Sequence, residues 1–181
     1  MLFRSACLAV DPHGLGGIRM RARPGPVRDF WLQQYRGLLG EDTPWRKIPL
    51  HCGEARLLGG LDLVATLRAG RPVAARGLLR DVDGGIAVLA MAERAPASTI
   101  AMLAGLLDEP VLRLEREGLT AEHPCRISVL ALDEGVDDEA LAPPLAERLA
   151  LHVDLDPVSV AAIDELPWQA RDIAAARERL A

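Results

Sequence analysis

Hydrophobic residues follow two different periodicities along this chain, and the two alternate. Short apolar runs such as Ile86–Ala90, which follows Gly84-Gly85, predict strands that are buried on both faces of a parallel sheet. Longer segments with apolar residues three and four positions apart predict amphipathic helices. Strands are predicted at 18–22, 48–51, 86–90, 127–132 and 150–155, and helices at 27–39, 56–67, 100–107, 143–148 and the end of 164–181. Because strands and helices alternate, we expect an α/β fold with a mainly parallel sheet.

One segment departs from this alternation. Residues 111–114 and 120–126 have strand-like patterns on either side of 115–118, which ends in Gly118. This pattern predicts a β-hairpin with a glycine turn.

Composition limits the class of protein. A chain of 181 residues suits one domain, with room for the start of a second. Only 3% of the residues are aromatic although half are hydrophobic, so the core is expected to consist of Leu, Val, Ala and Ile. No apolar run approaches the ~18 residues that span a membrane, and the N-terminal SACLAV makes a poor signal peptide. Because the chain stops inside an amphipathic helix, we expect a larger parent protein.

Cysteine and histidine indicate neither a disulfide framework nor a metal site. Cys7, Cys52 and Cys125 are widely spaced and form no CxxC pair, so they are expected to be buried free thiols in a cytoplasmic protein. Three histidines are too dispersed to predict a metal site: His51, His123 and His152.

Charge is distributed unevenly along the chain. Residues 1–80 carry 13 Arg and Lys against 6 Asp and Glu, a net +7, whereas residues 81–181 carry 8 against 20, a net −12. The early arginines are scattered and lack interleaved aromatic residues, which argues against a nucleic-acid surface. We interpret the asymmetry as a basic and an acidic side, suited to head-to-tail association in a ring.

The segment between the first predicted strand and helix has the layout of a phosphate-binding loop but lacks its residues. In a GxxxxGK[ST] motif, a strand leads through a glycine-rich turn into a helix. In ARPGPVRD, Gly25 is retained, Arg28 stands at the lysine position and Asp29 at the hydroxyl position. Pro24 and Pro26 remove two amide donors, and Asp29 would repel phosphate. Gly25 and Arg28 are therefore candidate nucleotide contacts with weak or no binding; the alternative is a turn that caps the helix.

Two further positions of a nucleotide site have also lost their chemistry. A P-loop ATPase carries an acidic pair after its central strand, where this chain has Ala90 and Met91, and neither side chain can bind a cation or take a proton. The polar sensor expected after the next strand falls near Asp133-Glu134, whose charges are hostile to a γ-phosphate. The pattern indicates a nucleotide-binding scaffold without its catalytic groups.

Four separated segments resemble the AAA+ module of magnesium chelatase. They are DPHGLGGIRMRARPGPVRDFWL (11–32), RLLGGLDLVATLRAGRPVAARGLLRDVDGGIAVL (56–89), VLRLEREGLTAEHPCRISVLAL (111–132) and APPLAERLALHVDLD (142–156). The first segment is similar to the start of the family's D-type subunit. The resemblance implies a P-loop NTPase-like AAA+ fold of three αβα layers around a mainly parallel five-stranded sheet.

The resemblance also implies a division of the chain. Residues 1–160 correspond to a degenerate AAA+ core, which includes a helix-2 insert at about 57–77 and a hairpin before the sensor strand at about 110–126. Residues 161–181 correspond to the beginning of a helical lid. The acidic linker and the integrin-I-like domain of the family are not among these 181 residues.

The implied role is ATP-dependent insertion of Mg²⁺ into protoporphyrin IX, in chlorophyll or bacteriochlorophyll biosynthesis. The family's active I-type subunit has an intact phosphate loop, an Asp-Glu pair and an Asn sensor, all of which this chain lacks. We therefore expect a subunit that is inactive alone and binds no cofactor itself, while the complex uses ATP and Mg²⁺. Its expected partner is the I-type subunit in a ring-like hetero-oligomer, with the porphyrin-binding large subunit only an indirect partner and with no nucleic acid.

The resemblance gives one residue a catalytic role. Arg148 matches the family's arginine at the end of a short helix, which reaches the nucleotide of the neighbouring subunit as a finger in trans. The alternative is that Arg148 pairs with Glu147 or caps a helix C-terminus. Arg126 has a similar family match but is expected to make a structural salt bridge.

Two other functions remain open at this stage. One is an AAA+ ATPase that hydrolyses ATP through an atypical site, and the other is a truncated scaffold module. ATP turnover by the isolated chain distinguishes the first from a non-hydrolysing partner, and pull-down with an I-type subunit distinguishes the second.

Overall fold

The computed structural model describes residues 2–116, 119–136, 138–162 and 167–180. Its helices are α1 Leu2–Val10, α2 Pro26–Leu39, α3 Glu54–Leu58, α4 Leu63–Ala69, α5 Ala97–Asp108, α6 Pro143–Ala146 and α7 Ala170–Glu178. Its strands are β1 Gly17–Arg21, β2 Trp45–Ile48, β3 Gly85–Leu89, β4 Val111–Arg116, β5 Leu119–Pro124, β6 Ile127–Asp133 and β7 Leu151–Asp154. Among the described residues, no helix has both the length and the apolar character needed to cross a bilayer.

A five-stranded sheet organises the molecule, and its strand order is β2-β3-β6-β1-β7. Every pairing in this sheet is parallel, with Ile18 of β1 opposite Leu130 of β6 and Leu151 of β7. Because parallel strands need crossover connections, helices cover the faces of the sheet. The predicted α/β class and parallel sheet are confirmed.

The central strands β3 and β6 are buried along their whole lengths, as their continuous apolar runs predict. Successive side chains of a strand point to opposite faces, so each strand contributes to two hydrophobic cores. Ala87 and Val129 belong to a core with α5, whereas Ile86 and Leu130 belong to one with α1 and α2. The sheet is therefore the middle layer of three.

Helix α1 has no counterpart among the predicted elements. It packs against α2 and α7, and the indole N–H of Trp31 donates to the Ser5 hydroxyl at 2.9 Å. Arg177 of α7 donates to the carbonyl of Ala9, the last but one residue of α1. The two ends of the chain thus meet on one face of the sheet.

Two predicted elements differ from the structure. The strand predicted at 48–51 lies at Trp45–Ile48, because Pro49 has no amide hydrogen with which to continue the ladder. The helix predicted at 56–67 is two helices, α3 and α4, separated at Gly59-Gly60. Gly59 has φ 98°, and a Cβ there would lie 2.3 Å from the Ala75 carbonyl oxygen, so the chain turns where only glycine fits.

Strands β4 and β5 form an antiparallel hairpin apart from the main sheet. Leu112 and Leu114 of β4 are buried, whereas the ion pairs of Arg113 with Glu109 and Glu122 lie on the surface. The Glu117-Gly118 part of the predicted turn lies outside the described residues.

Candidate functional site

Three loops meet at the carboxyl edge of the sheet. Strands β1, β3 and β6 are parallel and lie side by side, with β6 between the other two, so the segments that follow them share one edge. These segments are 22–28 after β1, 90–93 after β3 and 134–135 after β6. The positions of the phosphate loop, the acidic pair and the sensor are therefore brought together, at the edge where α/β sheets bind ligands.

The amides of the loop after β1 are not arranged around an anion. The Arg23 N–H donates to Asp156 Oδ1 at 3.0 Å, so a carboxylate of the chain takes this donor. Pro24 and Pro26 have no N–H, and α2 starts at Pro26 with Gly25 as its N-cap. The adjoining cleft measures about 190 Å³ and includes Asp156 in its lining, below the ~300–1,000 Å³ of typical ligand sites.

Arg28 forms an ion pair inside the site. Its Nη1 lies 2.6 Å from Glu134 Oε1, and the two side chains are only 13% and 20% exposed. Arg28 Nε is buried without a hydrogen-bond partner among the described residues. Glu134, at the sensor position, thus neutralises the charge of Arg28, at the lysine position.

The segment after β3 presents no acidic pair toward the cleft. Met91 has a left-handed backbone, with φ 49° and ψ 49°, and its side chain is 37% exposed. The acidic residue of this segment is Glu93, whose fully buried side chain accepts the Glu134 N–H at 3.0 Å. Its Oε1 lies 3.5 Å from Arg94 Nε. Glu93 therefore holds the loop after β6.

Asp133, the last residue of β6, is also held by hydrogen bonds within the chain. Its carboxylate is 1% exposed and accepts from Arg19 Nε at 2.7 Å, with Arg19 Nη2 at 2.5 Å. It also accepts the Gly135 N–H at 3.0 Å. A buried carboxylate with three donors is well satisfied within the chain and needs no external cation.

These residues do not fit a magnesium nucleotide. The residues around the phosphate position include an arginine that is paired with Glu134, Pro26, which has no N–H, and Asp156, which already accepts the Arg23 N–H. No group of three or more His, Cys, Asp or Glu side chains suitable for a metal ion occurs in the described part of the chain. No step of ATP chemistry is therefore assigned to this edge of the molecule.

Sequence reasoning identified Gly25, Arg28 and the Asp133-Glu134 position, and the structure brings all of them together. It missed Glu93 and Asp156. Glu93 lies four residues beyond the last residue of β3, and Asp156 follows β7. Their participation depends on parallel pairing between distant segments, for which the sequence pattern carries no signal.

Arg148 lies elsewhere. It follows α6 and precedes β7, so it is at the amino end of a parallel strand, the opposite edge from Arg28. Its guanidinium pairs with Asp108, the last residue of α5, through Nε at 2.7 Å and Nη2 at 2.5 Å. Nη1 donates to the Pro144 carbonyl. Pairing with Glu147 was the alternative to a finger role, but the partner in the structure is Asp108, and Arg148 is remote from its own chain's loop.

The Arg148–Asp108 ion pair shifts the pKa of both groups toward the charged forms. The hydrogen bonds from Arg148 lower the pKa of Asp108, and the Asp108 carboxylate raises the pKa of Arg148. Arg148 is 34% exposed and Asp108 55% exposed, so solvent screens the interaction. Both groups stay charged near neutral pH.

The salt bridge expected for Arg126 is not found within the described ranges. The Arg126 backbone N–H donates to Asp83 Oδ1 at 2.8 Å, and its exposed guanidinium forms no ion pair with any described residue. Arg126 instead lines a cleft with His13 and Arg177 at the amino edge of the sheet.

The strand order, the crossover helices and the loop after β1 define the class of the protein. The chain has the fold of an AAA+ module of the P-loop NTPase type. Its fold matches a cryo-EM-based structure of the complex between subunits BchI and BchD of magnesium chelatase with a TM-score of 0.68 and 19% identity, covering 99% of this chain and 63% of that one. It also matches a putative ATPase from Cytophaga hutchinsonii with a TM-score of 0.64 and 13% identity, over 98% and 57% of the two chains.

Sequence similarity identifies the family. The chain is 40% identical over 176 residues to the magnesium-chelatase 60 kDa subunit of Cereibacter sphaeroides, covering 96% of this chain and 28% of the relative. It is 30% identical to the 67 kDa subunit of Chlorobaculum tepidum over 84% of this chain and 24% of the relative. The 38 kDa subunit of Cereibacter sphaeroides is 27% identical over 74% of this chain and 40% of that subunit. No protein-family model matches the chain.

The chain belongs to the magnesium-chelatase subunits of the 60 and 67 kDa type. It spans about a quarter of the length of these relatives.

Proposed function

We propose that the chain is a non-hydrolysing AAA+ module of a D-type magnesium-chelatase subunit. It assembles with an active I-type ATPase subunit and supports ATP-dependent insertion of Mg²⁺ into protoporphyrin IX, in chlorophyll or bacteriochlorophyll synthesis. ATP and Mg²⁺ are used by the complex, and the porphyrin contacts a separate large subunit. The proposed compartment is the cytoplasm.

One observation carries the non-hydrolysing part of this proposal. The Arg28–Glu134 pair occupies the region where a lysine and a neutral sensor would contact a γ-phosphate. A bound phosphate would have to displace Glu134 from Arg28 and leave a carboxylate against its own negative charge. Because Pro24 and Pro26 also supply no amide donors, the site cannot compensate for this repulsion.

The position of Arg148 supports a contribution in trans. Its edge of the sheet is opposite the degenerate loop, so it does not serve its own chain's site. An arginine on a partly exposed surface can approach the nucleotide of an adjacent subunit, where a finger accelerates phosphoryl transfer by about 10³–10⁵. We assign 57–77 and 110–126 to the projecting insert and hairpin of the module, and 161–181 to the start of its helical lid.

Two assays test the general proposal. The isolated chain should show no ATP turnover above a heat-denatured control, and it should be retained by an immobilised I-type subunit. Turnover by the isolated chain would establish the atypical ATPase instead. Absence of retention, with a folded chain, would leave only a truncated scaffold.

The Arg148→Ala substitution tests the proposed finger. ATP turnover by the assembled complex should fall about 10³-fold or more, because the charge developing on the γ-phosphoryl group loses its partner. Lysine should restore little activity, since an ammonium does not reproduce the bidentate fork. Turnover is measured per assembled complex, after pull-down has matched the amount of each variant. Equal rates for the wild-type and Arg148→Ala complexes would show that the arginine has a structural role only.

A further inference from the structure

The guanidinium of Arg148 is held at two of its sides by its own chain. Nε and Nη2 form a bidentate pair with Asp108, at 2.7 and 2.5 Å. Nη1 donates to the Pro144 carbonyl, one helical turn back along the chain. Bonds to two partners that are not collinear fix the orientation of a planar group, so the side chain has one defined plane.

These contacts leave a specific part of the group unused. A guanidinium has five N–H donors in a rigid fork, and the three bonds account for one donor on each nitrogen. The two that remain are one on Nη1 and one on Nη2, the two nitrogens at the outer edge of the fork. Donors on these two nitrogens can bind oxygens of a phosphate group. The 34% exposure of the side chain is consistent with an accessible outer edge.

We propose that Asp108 is a positioning residue, which orients Arg148 so that the outer edge of its guanidinium faces the nucleotide of the neighbouring subunit. This inference rests on the proposed function of Arg148 as a finger in trans. Asp108 itself does not contact the nucleotide. Its effect is to fix the donor plane before the transition state forms, which lowers the entropy lost on reaching it.

The surroundings of Asp108 suit this role. It is the last residue of α5, which is anchored in the core through Leu103 and Leu106 and packs against α6. The next acidic residue, Glu109, is engaged by Arg113 and does not compete for Arg148. The carboxylate is therefore presented to Arg148 by a helix that the core holds in place.

The test is a double-mutant cycle in the complex with the active ATPase subunit. The chains compared are wild type, Asp108→Asn, Arg148→Ala and the double variant, and kcat and KM for ATP are measured at matched assembly. Asp108→Asn should lower kcat by about 10- to 100-fold with little change in KM, because the finger is misplaced without being removed. The double variant should be no slower than Arg148→Ala, since the effect of Asp108 passes through Arg148. Glu109→Gln is the matched control and should turn over ATP like wild type.

The possible results separate the two proposals. If Arg148→Ala abolishes turnover while Asp108→Asn equals wild type, the positioning role is wrong and the finger stands. If Asp108→Asn accelerates turnover, the pair is a clasp that restrains Arg148, and the positioning role is equally wrong. If Arg148→Ala has no effect, the finger fails and the role of Asp108 fails with it. A loss of kcat in Asp108→Asn that persists in the Arg148→Ala background would assign Asp108 a structural role instead.

Discussion

At the scale of single residues, the surroundings that the fold provides shift the pKa values of buried ionisable groups. Cys125 is an example: its thiol donates to the Leu79 carbonyl at 3.3 Å, and burial raises the pKa of Cys125 to about 11. Such a thiol is unreactive near neutral pH, because the thiolate is the nucleophile. This agrees with the buried free thiol expected from the sequence at Cys125, whereas Cys7 and Cys52 are free but only partly buried.

His13 provides a pH-dependent prediction. Burial lowers the pKa of His13, and the positive charges of Arg126 and Arg177 lower it further, while Asp11 and Asp83 act in the opposite direction. The Nε2 atom of His13 is buried without a hydrogen-bond partner among the described residues. Below an ordinary pKa of about 6.5, the unfolded chain binds a proton that the folded chain does not, so stability falls as pH decreases. His13→Gln should therefore lose less unfolding free energy than wild type between pH 7 and pH 5.

The measurement is urea unfolding of both proteins at the two pH values. His51→Gln, at an exposed position, controls for the substitution itself. Identical losses of unfolding free energy in wild type and His13→Gln would contradict the assignment.

At the scale of elements, the loop after β6 and the N-terminal turn of α2 are joined by the Arg28–Glu134 pair. Glu134→Gln keeps the shape of the side chain but leaves the largely buried charge of Arg28 without its counter-ion. We expect a loss of about 1–3 kcal/mol in unfolding free energy, smaller than for a fully buried pair. Because the two prolines of the loop remain, neither wild type nor this variant should bind Mg-ATP more tightly than about millimolar.

Denaturant unfolding and calorimetric titration test the two statements separately. Glu122→Gln, which alters an exposed ion pair of the hairpin, should leave the unfolding midpoint near that of wild type. Micromolar Mg-ATP binding by the wild-type chain would overturn the degenerate-site assignment.

At the scale of the whole molecule, the stability of the fold depends on contacts between its two ends. Ile173 of α7 is 3% exposed and belongs to the same core as Leu8 and Ala9 of α1. Ile173→Ala should cost about 2–5 kcal/mol, the usual range for truncating a buried isoleucine. Leu180→Ala is the control, since Leu180 is 70% exposed and its loss should stay within about 0.5 kcal/mol. Equal unfolding midpoints for the two variants would show that α7 is not part of the cooperative unit.

The charge asymmetry of the sequence is also explained in part by the structure of the whole molecule. The basic and acidic parts of the chain pair with each other inside the molecule, as Arg19 does with Asp133 and Arg28 with Glu134. Parallel pairing of β1 with β6 brings Arg19 within reach of Asp133 and the start of α2 within reach of the loop after β6, although more than 100 positions separate the residues of each pair. Part of the asymmetry is therefore used in folding and is not available as opposite faces for association.

The sequence by itself determined the class of fold and showed that the phosphate-loop lysine and the acidic pair are absent from their expected positions. Continuous apolar runs at β3 and β6 predict strands buried on both faces, because only such strands have no polar side to show to water. The substitutions at Arg28, Ala90 and Met91 are local chemical facts, so they need no structure to be interpreted.

Only the tertiary structure decided which residues lie beside these positions. The partners of Arg28, Arg148 and Asp133 come from other strands and helices, and no local periodicity encodes which distant residue will lie beside them. Helix α1 was not predicted, although its buried residues Ser5, Leu8 and Ala9 lie three and four positions apart. Only the structure shows that it packs against α2 and α7. Ion pairs between distant residues and the packing of the chain ends both depend on chain topology. A local sequence pattern contains little information about topology.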